Sequence, residues 1–183
     1  MRRLEQPGRE GRAVRIALVW PRGFDPATTL PLPFGYLKAG LDPLRYDVRI
    51  LDCALERLGP ESPELGRWLE GFAPDLVGLS TWSPMFPEVL ALLDTVRRCL
   101  PEAVTVLGGA HPSSYAERCL ECPQVDYVVA GEAQRAFAVL VDELQRSRPR
   151  LSKVPGLVWR KKNGSLGRNE MERPELDSIA LPD

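Results

Sequence analysis

Hydroxyl-bearing residues cluster at Ser80-Thr81-Trp82-Ser83, and two glycines stand together at Gly108-Gly109. The chain's single histidine, His111, follows two residues later with Pro112 behind it. Hydroxyls beside an indole suit the binding of a polar ligand with a flat ring: Ser80 and Thr81 supply hydrogen bonds, and Trp82 can cover the ring. Adjacent glycines remove side chains where something must approach the backbone closely. Taken alone, His111 reads as a hydrogen-bonded residue of such a pocket rather than as a metal ligand. Gly131-Glu132 is a third short signal, with Glu132 placed to interact with the N-terminus of the helix that follows. A fourth is the proline-rich stretch from Pro21 to Gly35, which gains an apolar surface from Trp20, Phe24, Leu30, Leu32 and Phe34 and rigidity from prolines such as Pro33. Such a loop either packs on its own domain or is shaped around a ligand.

Other chemistries are poorly supported. No G-x-G-x-x-G and no G-x-x-x-x-G-K-[ST] occurs, so neither a dinucleotide nor a nucleoside triphosphate site is indicated. A nucleophile, base and acid set cannot be assembled around one histidine. The net charge of −1 argues against a dedicated nucleic-acid binder. Charge is nevertheless uneven: residues 1–15 carry five arginines against two glutamates, and residues 146–173 carry nine Lys or Arg against Glu170 and Glu172. Basic flanks thus border an acidic body, either as a solubilising surface or as a docking segment. Four cysteines at irregular spacing do not make a disulfide framework, and no run of apolar residues is long enough to span a bilayer. A cytoplasmic protein without a membrane partner is expected.

Short β-branched runs alternate with stretches at helical spacing. Strands are expected at 14–20, 46–52, 75–81, 104–109 and 126–131. Helices are expected at 34–44, 62–72, 83 to about 100, 112–121 and 132–146. In the first helix Leu37, Leu41 and Leu44 share a stripe; Ser62-Pro63 opens the second, and Ser83-Pro84 opens the third with Ser83 as its N-cap. Strict β-α alternation predicts an α/β fold, a flavodoxin-like (Rossmann-like) doubly wound parallel five-stranded sheet of order 2-1-3-4-5. After Arg150 the pattern changes to a β-hairpin turning at Asn163-Gly164, where both central residues are expected at positive φ, followed by a linker. Residues 14–150 form the α/β domain in this reading, and 151–183 the hairpin and linker extension. In such a sheet ligands lie beyond the carboxyl ends of the strands, where the four signals fall.

Together the stretches "LPLPFGYLKAGL", "PDLVGLSTWSP", "VTVLGGAHPSSY" and "VDYVVAGEAQRAFAVLVDEL" resemble the N-terminal cobalamin-binding domain of cobalamin-dependent radical S-adenosylmethionine enzymes. The resemblance implies a cobalamin whose dimethylbenzimidazole tail is buried between sheet and helices, with the corrin across the strand ends. Ser80, Thr81 and Trp82 match the serine-containing loop after the third strand, Gly108 and Gly109 the diglycine after the fourth, and Gly131 and Glu132 the Gly-Glu after the fifth. The cofactor-binding set implied is Trp20, Pro33, Phe34, Ser80, Thr81, Trp82, Ser83, Gly108, Gly109, His111, Pro112, Gly131 and Glu132, with no metal ligand.

Two departures qualify the resemblance. The D-x-H-x-x-G motif of classical cobalamin proteins is missing after the first strand, since Asp25 is followed by Pro26 and Ala27. That implies base-off cobalamin, its lower face near the loop 21–35 or residues 82–86. No C-x-x-x-C-x-x-C occurs, so this polypeptide is not a radical enzyme by itself. It is expected to serve methyl transfer with a radical S-adenosylmethionine domain or partner and a methyl-acceptor substrate. The alternative is a cofactor-free, flavodoxin-like protein-protein interaction domain.

Overall fold

The computed structural model describes Arg2, Leu4 and residues 12–23, 30–173 and 181–182. Strand β1 (Val14–Trp20) is buried on both faces, as its nearly unbroken apolar run requires of a central parallel strand. It is flanked by β2 (Tyr46–Asp52) and β3 (Leu76–Ser80), and the sheet continues through β4 (Val104–Gly108) and β5 (Tyr127–Val129), all parallel. The order β2-β1-β3-β4-β5 is the expected flavodoxin-like one. The sheet does not stop there. Strands β6 (Leu157–Arg160) and β7 (Leu166–Arg168) form the expected hairpin, and β6 pairs antiparallel with β5 to extend the sheet to seven strands. Backbone pairing of β6 covers an edge of β5 that would otherwise be open.

Helices α1 (Leu32–Ala39) and α5 (Ala133–Leu144) cover one face of the sheet. Helices α2 (Pro63–Phe72), α3 (Phe86–Cys99) and α4 (Ala110–Glu121) cover the other. Period-two alternation assigns each strand residue to one face. In β1, Ile16, Leu18 and Trp20 pack toward α1 and α5, whereas Ala17 and Val19 pack toward α2, α3 and α4.

Four local expectations are corrected. Helix α1 begins earlier than expected, with proline in its first turn, and ends before Gly40; Leu44 is 90% exposed rather than on the buried stripe. Beyond Gly40, Pro43 cannot donate to a continuing helix, and Asp42 Oδ1 instead accepts the Leu44 N–H at 2.9 Å. Ser83 does not cap α3: it begins a 3-10 turn, Ser83–Met85, and its hydroxyl is engaged by His111. Helix α4 starts at Ala110, directly after the glycines, and kinks at Tyr115. At the hairpin tip only Gly164 is left-handed (φ +83°), because Asn163 Oδ1 accepts from Ser165 and the loop closes between Lys161 and Ser165.

Candidate functional site

A cavity of about 470 Å3 opens at the carboxyl ends of β1, β3, β4 and β5, between the sheet and the helices α1 and α5. That volume lies in the range of small-ligand sites, about 300–1,000 Å3. Its floor follows from the parity of the strands. On the face toward α1 and α5, β3 presents Gly78 and Ser80, and β4 ends on Gly108, so side-chain volume is withdrawn from two adjacent strands. Leu18, Val106 and Val129 continue the floor, and Phe34, Leu37, Ala133 and Phe137 form the helical wall. Trp20 closes one side, its ring edge-on to Phe34 at 5.4 Å.

The glycines have separate jobs. Gly109 has φ +99°, and a Cβ there would sit 2.7 Å from Ser80 Oγ and 2.8 Å from the Thr81 carbonyl oxygen, so any side chain would collide with the neighbouring loop. At Gly108 a Cβ would meet only the Val129 carbonyl oxygen at 3.8 Å. A larger residue there fits the backbone and takes space from the cavity. At Gly78 a Cβ would come 2.9 Å from Leu18 Cδ2.

Hydrogen bonds stitch together the loops that carry these residues. The Thr81 N–H donates to the Gly108 carbonyl at 3.1 Å, and the His111 N–H to the Thr81 carbonyl at 3.2 Å. Ser113 Oγ donates to the Gly109 carbonyl at 2.8 Å and accepts from the Gly131 N–H at 2.9 Å, joining the β5 loop to the others. Ahead of the cavity, the Arg22 N–H donates to Glu88 Oε1, which holds the start of the β1 loop on α3.

The structure brings Trp20, Pro33, Phe34, Ser80, Trp82, Gly108, Gly109, Gly131 and Glu132 to the cavity wall. Thr81, Ser83, His111 and Pro112 do not line it. Thr81 is fully buried and donates its hydroxyl to the Trp82 carbonyl; Pro112 is buried in the first turn of α4. Ser83 and His111 line a separate groove between α3 and α4. Glu132 is the N-cap residue of α5 but makes no side-chain capping bond. Phe24 and Asp25, from the β1 loop, lie outside the described residues, whereas Leu30 joins the cavity. The sequence reading missed Gly78, Ser113 and Gln134. A glycine inside an apolar strand was a usable signal for Gly78; nothing short of the fold marks the other two.

The B12 binding domain family matches residues 26–141. The chain belongs to that family. As a B12-binding domain it is 31% identical over 171 residues to cytidylyl-2-hydroxyethylphosphonate methyltransferase of Streptomyces wedmorensis, covering 85% of this chain and 31% of that protein. It is 31% identical over 156 residues to an uncharacterized methyltransferase of Pyrococcus horikoshii, covering 83% of this chain and 33% of the relative. The cobalamin-dependent S-adenosylmethionine radical enzyme OxsB, solved with aqua-cobalamin and S-adenosylmethionine bound, superposes with a TM-score of 0.76 at 20% identity, over 93% of this chain and 24% of that one. The B12-binding domain thus spans about a third of the length of the curated relatives it matches.

Cobalamin is the cofactor of the family, and the cavity fits its nucleotide tail. Val106, Val129 and Phe137 bound the glycine-floored slot with apolar surface. On its wall Gln134 carries a buried Oε1 without a hydrogen-bond partner among the described residues, a polar atom that an apolar cavity would not need. Trp82, 54% exposed, presents its indole at the cavity wall.

Proposed function

We propose that this B12-binding domain holds cobalamin in a base-off state and presents it for methyl transfer to an acceptor bound by a radical S-adenosylmethionine domain or partner. The observation that carries the reading is the cavity floored by Gly78, Ser80 and Gly108, open at the strand ends and closed below by packed sheet and helix. In this reading the nucleotide tail enters between the sheet and helices α1 and α5. Phe137 and Phe34 exclude water from its ring, Ser80 and Gln134 offer polar contacts, and Gly109 lets the β4 loop pack against the β3 loop that carries Ser80. Trp82 and Leu30 bear on the corrin at the mouth.

Base-off binding is supported by placement. A nucleotide tail held in the cavity is kept off the cobalt, and the chain's one histidine faces the α3/α4 groove rather than the cavity, so no imidazole takes the place of the tail. When bound, cobalamin supplies a cobalt that carries a methyl group between donor and acceptor. In this reading residues 14–150 carry the cofactor, and beyond the hairpin Met171 passes close to Gly131 at the rim. Methyl transfer is supported by the two methyltransferases among the relatives.

Reconstitution with hydroxocobalamin, followed by desalting and a visible spectrum, tests the reading. A near-stoichiometric chromophore is expected. After reduction to the cob(II) state, the electron paramagnetic resonance signal should lack the nitrogen splitting of a coordinated base. Failure of the chromophore to co-elute overturns the cofactor assignment; persistent nitrogen splitting overturns the base-off assignment.

A further inference from the structure

His111 stands outside the cavity yet touches both loops that build it. Its Nδ1 lies 2.9 Å from Ser83 Oγ, and its ring packs against Phe86 at 4.3 Å and Tyr115 at 5.1 Å. Its backbone N–H donates to the Thr81 carbonyl. Nε2 is buried and has no hydrogen-bond partner among the described residues. A buried N–H without an acceptor is rarer than a buried lone pair without a donor. The proton therefore belongs on Nδ1, which donates to Ser83 Oγ, and Nε2 stays bare.

Ser83 directly follows Trp82, and His111 is two residues beyond Gly109. The side-chain bond and the main-chain bond of this one residue thus span the β3 loop and the β4 loop on the side away from the ligand. The geometry points to His111 as a positioning residue: clamped to Ser83 and Thr81, it holds Ser80, Trp82 and Gly109 in the shape that receives cobalamin. This inference rests on reading the cavity as the cobalamin site. It assigns His111 no contact with the cofactor.

The surroundings favour a neutral ring. Burial, and then the positive charge of Arg118, lower the His111 pKa below its ordinary 6.5. The other titratable groups lining its groove are Asp94 from α3, and Tyr115, Glu121 and Cys122 from α4 and its end. Because the folded pKa is depressed, the neutral ring contributes stability that is present above about pH 6.5 and is lost as pH falls through the lower folded pKa, while the Nδ1–H bond to Ser83 survives protonation at Nε2.

As the chain holds one histidine, ring nitrogen shifts in a 15N-labelled sample report on His111 alone. The cofactor-free protein should show a neutral imidazole protonated at Nδ1 at pH 7, and Ser83→Ala should shift the tautomer toward Nε2–H. Hydroxocobalamin affinity is then compared among wild type, Ser83→Ala, His111→Phe, His111→Asn and the Ser83→Ala/His111→Phe double variant. Loss of one hydrogen bond should weaken binding about 3- to 10-fold. His111→Phe keeps the ring stack but loses the bond, whereas His111→Asn places an amide N–H near the Nδ1 position and should recover most of the affinity. The double variant should be no weaker than the worse single one.

An Nε2-protonated ring in the wild type overturns the assignment of Nδ1 as donor, since the Ser83 hydroxyl would then donate to Nδ1. Wild-type affinity in Ser83→Ala and His111→Phe, or fully additive losses in the double variant, overturns the clamp. If His111→Phe fails to fold, Ser83→Ala alone decides, since it removes one exposed hydroxyl. A wild type that binds no hydroxocobalamin sinks the cobalamin reading instead, and the tautomer measurement still judges the His111–Ser83 bond.

Discussion

The two faces of the sheet are built from the same strands and differ only in which parity of residue they receive. Toward α2, α3 and α4 the strand ends present Val19, Leu79 and Leu107, each at most 2% exposed, and the layer is filled. Toward α1 and α5 the ends of the same strands present Trp20, Ser80 and Gly108, with Gly78 one step below, and a cavity results. Further down that same face Ile16, Leu76 and Val104 pack against Leu140 and Leu144 with no opening. The cavity here is thus a few positions of one parity at one end of a sheet, withheld from an otherwise close-packed core.

The sharpest way to break this contrast is Gly108→Leu. The backbone tolerates a Cβ at that position, so the side chain should fill the cavity, leave the melting temperature unchanged or raised, and weaken hydroxocobalamin binding by about 100-fold or more, given that each ~1.4 kcal/mol is a factor of ten. Retained stoichiometric binding in gel filtration would move the cofactor elsewhere. On the filled face, Leu107→Ala should do the opposite. Denaturant titration should show a loss of about 2–5 kcal/mol from the cavity it creates, while the folded fraction still binds cofactor as wild type does. An affinity loss as large as that of Gly108→Leu would erase the distinction between the faces.

Ser80→Ala probes the open face more gently. Removal of one hydroxyl should reduce affinity about 2- to 10-fold with little change in stability, read by titration of the visible bands. The smallest effect concerns the far end of α5. There Glu143 is buried; burial would raise its pKa, but the N–H and guanidinium of Arg150, with Arg146, outweigh that and hold it below the ordinary 4.5. Its stabilising contribution is present above about pH 4.5 and lost as pH falls. Arg150→Ala should flatten the acid limb of a melting-temperature profile without altering cofactor affinity at pH 7. Altered affinity would show that the roof of the cavity depends on the whole length of its helix.

Much of this was legible in the residues. The nearly unbroken apolar run Val14–Trp20 read as a strand covered on both faces, and the strict alternation behind it called for a parallel sheet. Gly108-Gly109 and Ser80 were readable as candidates for a ligand site, and all three line the cavity. What failed were the assignments of local caps and contacts. Ser83 had the right type and position to cap α3, but its hydroxyl went to His111, a partner 28 residues away in sequence. His111 and Pro112 follow the glycines closely, yet the helix that starts at Ala110 turns them to the opposite side of the loop.

By itself the sequence determined the β-α alternation that calls for a parallel sheet and the family to which the domain belongs, since periodicity and short motifs are local properties of the chain. Only the tertiary structure decided which side of the sheet is hollow, that the hairpin pairs with β5 and lengthens the sheet, and that the single histidine faces away from the cavity. Those outcomes depend on strand parity, edge pairing and loop-to-loop hydrogen bonds, each of which requires two distant segments to be in place at once.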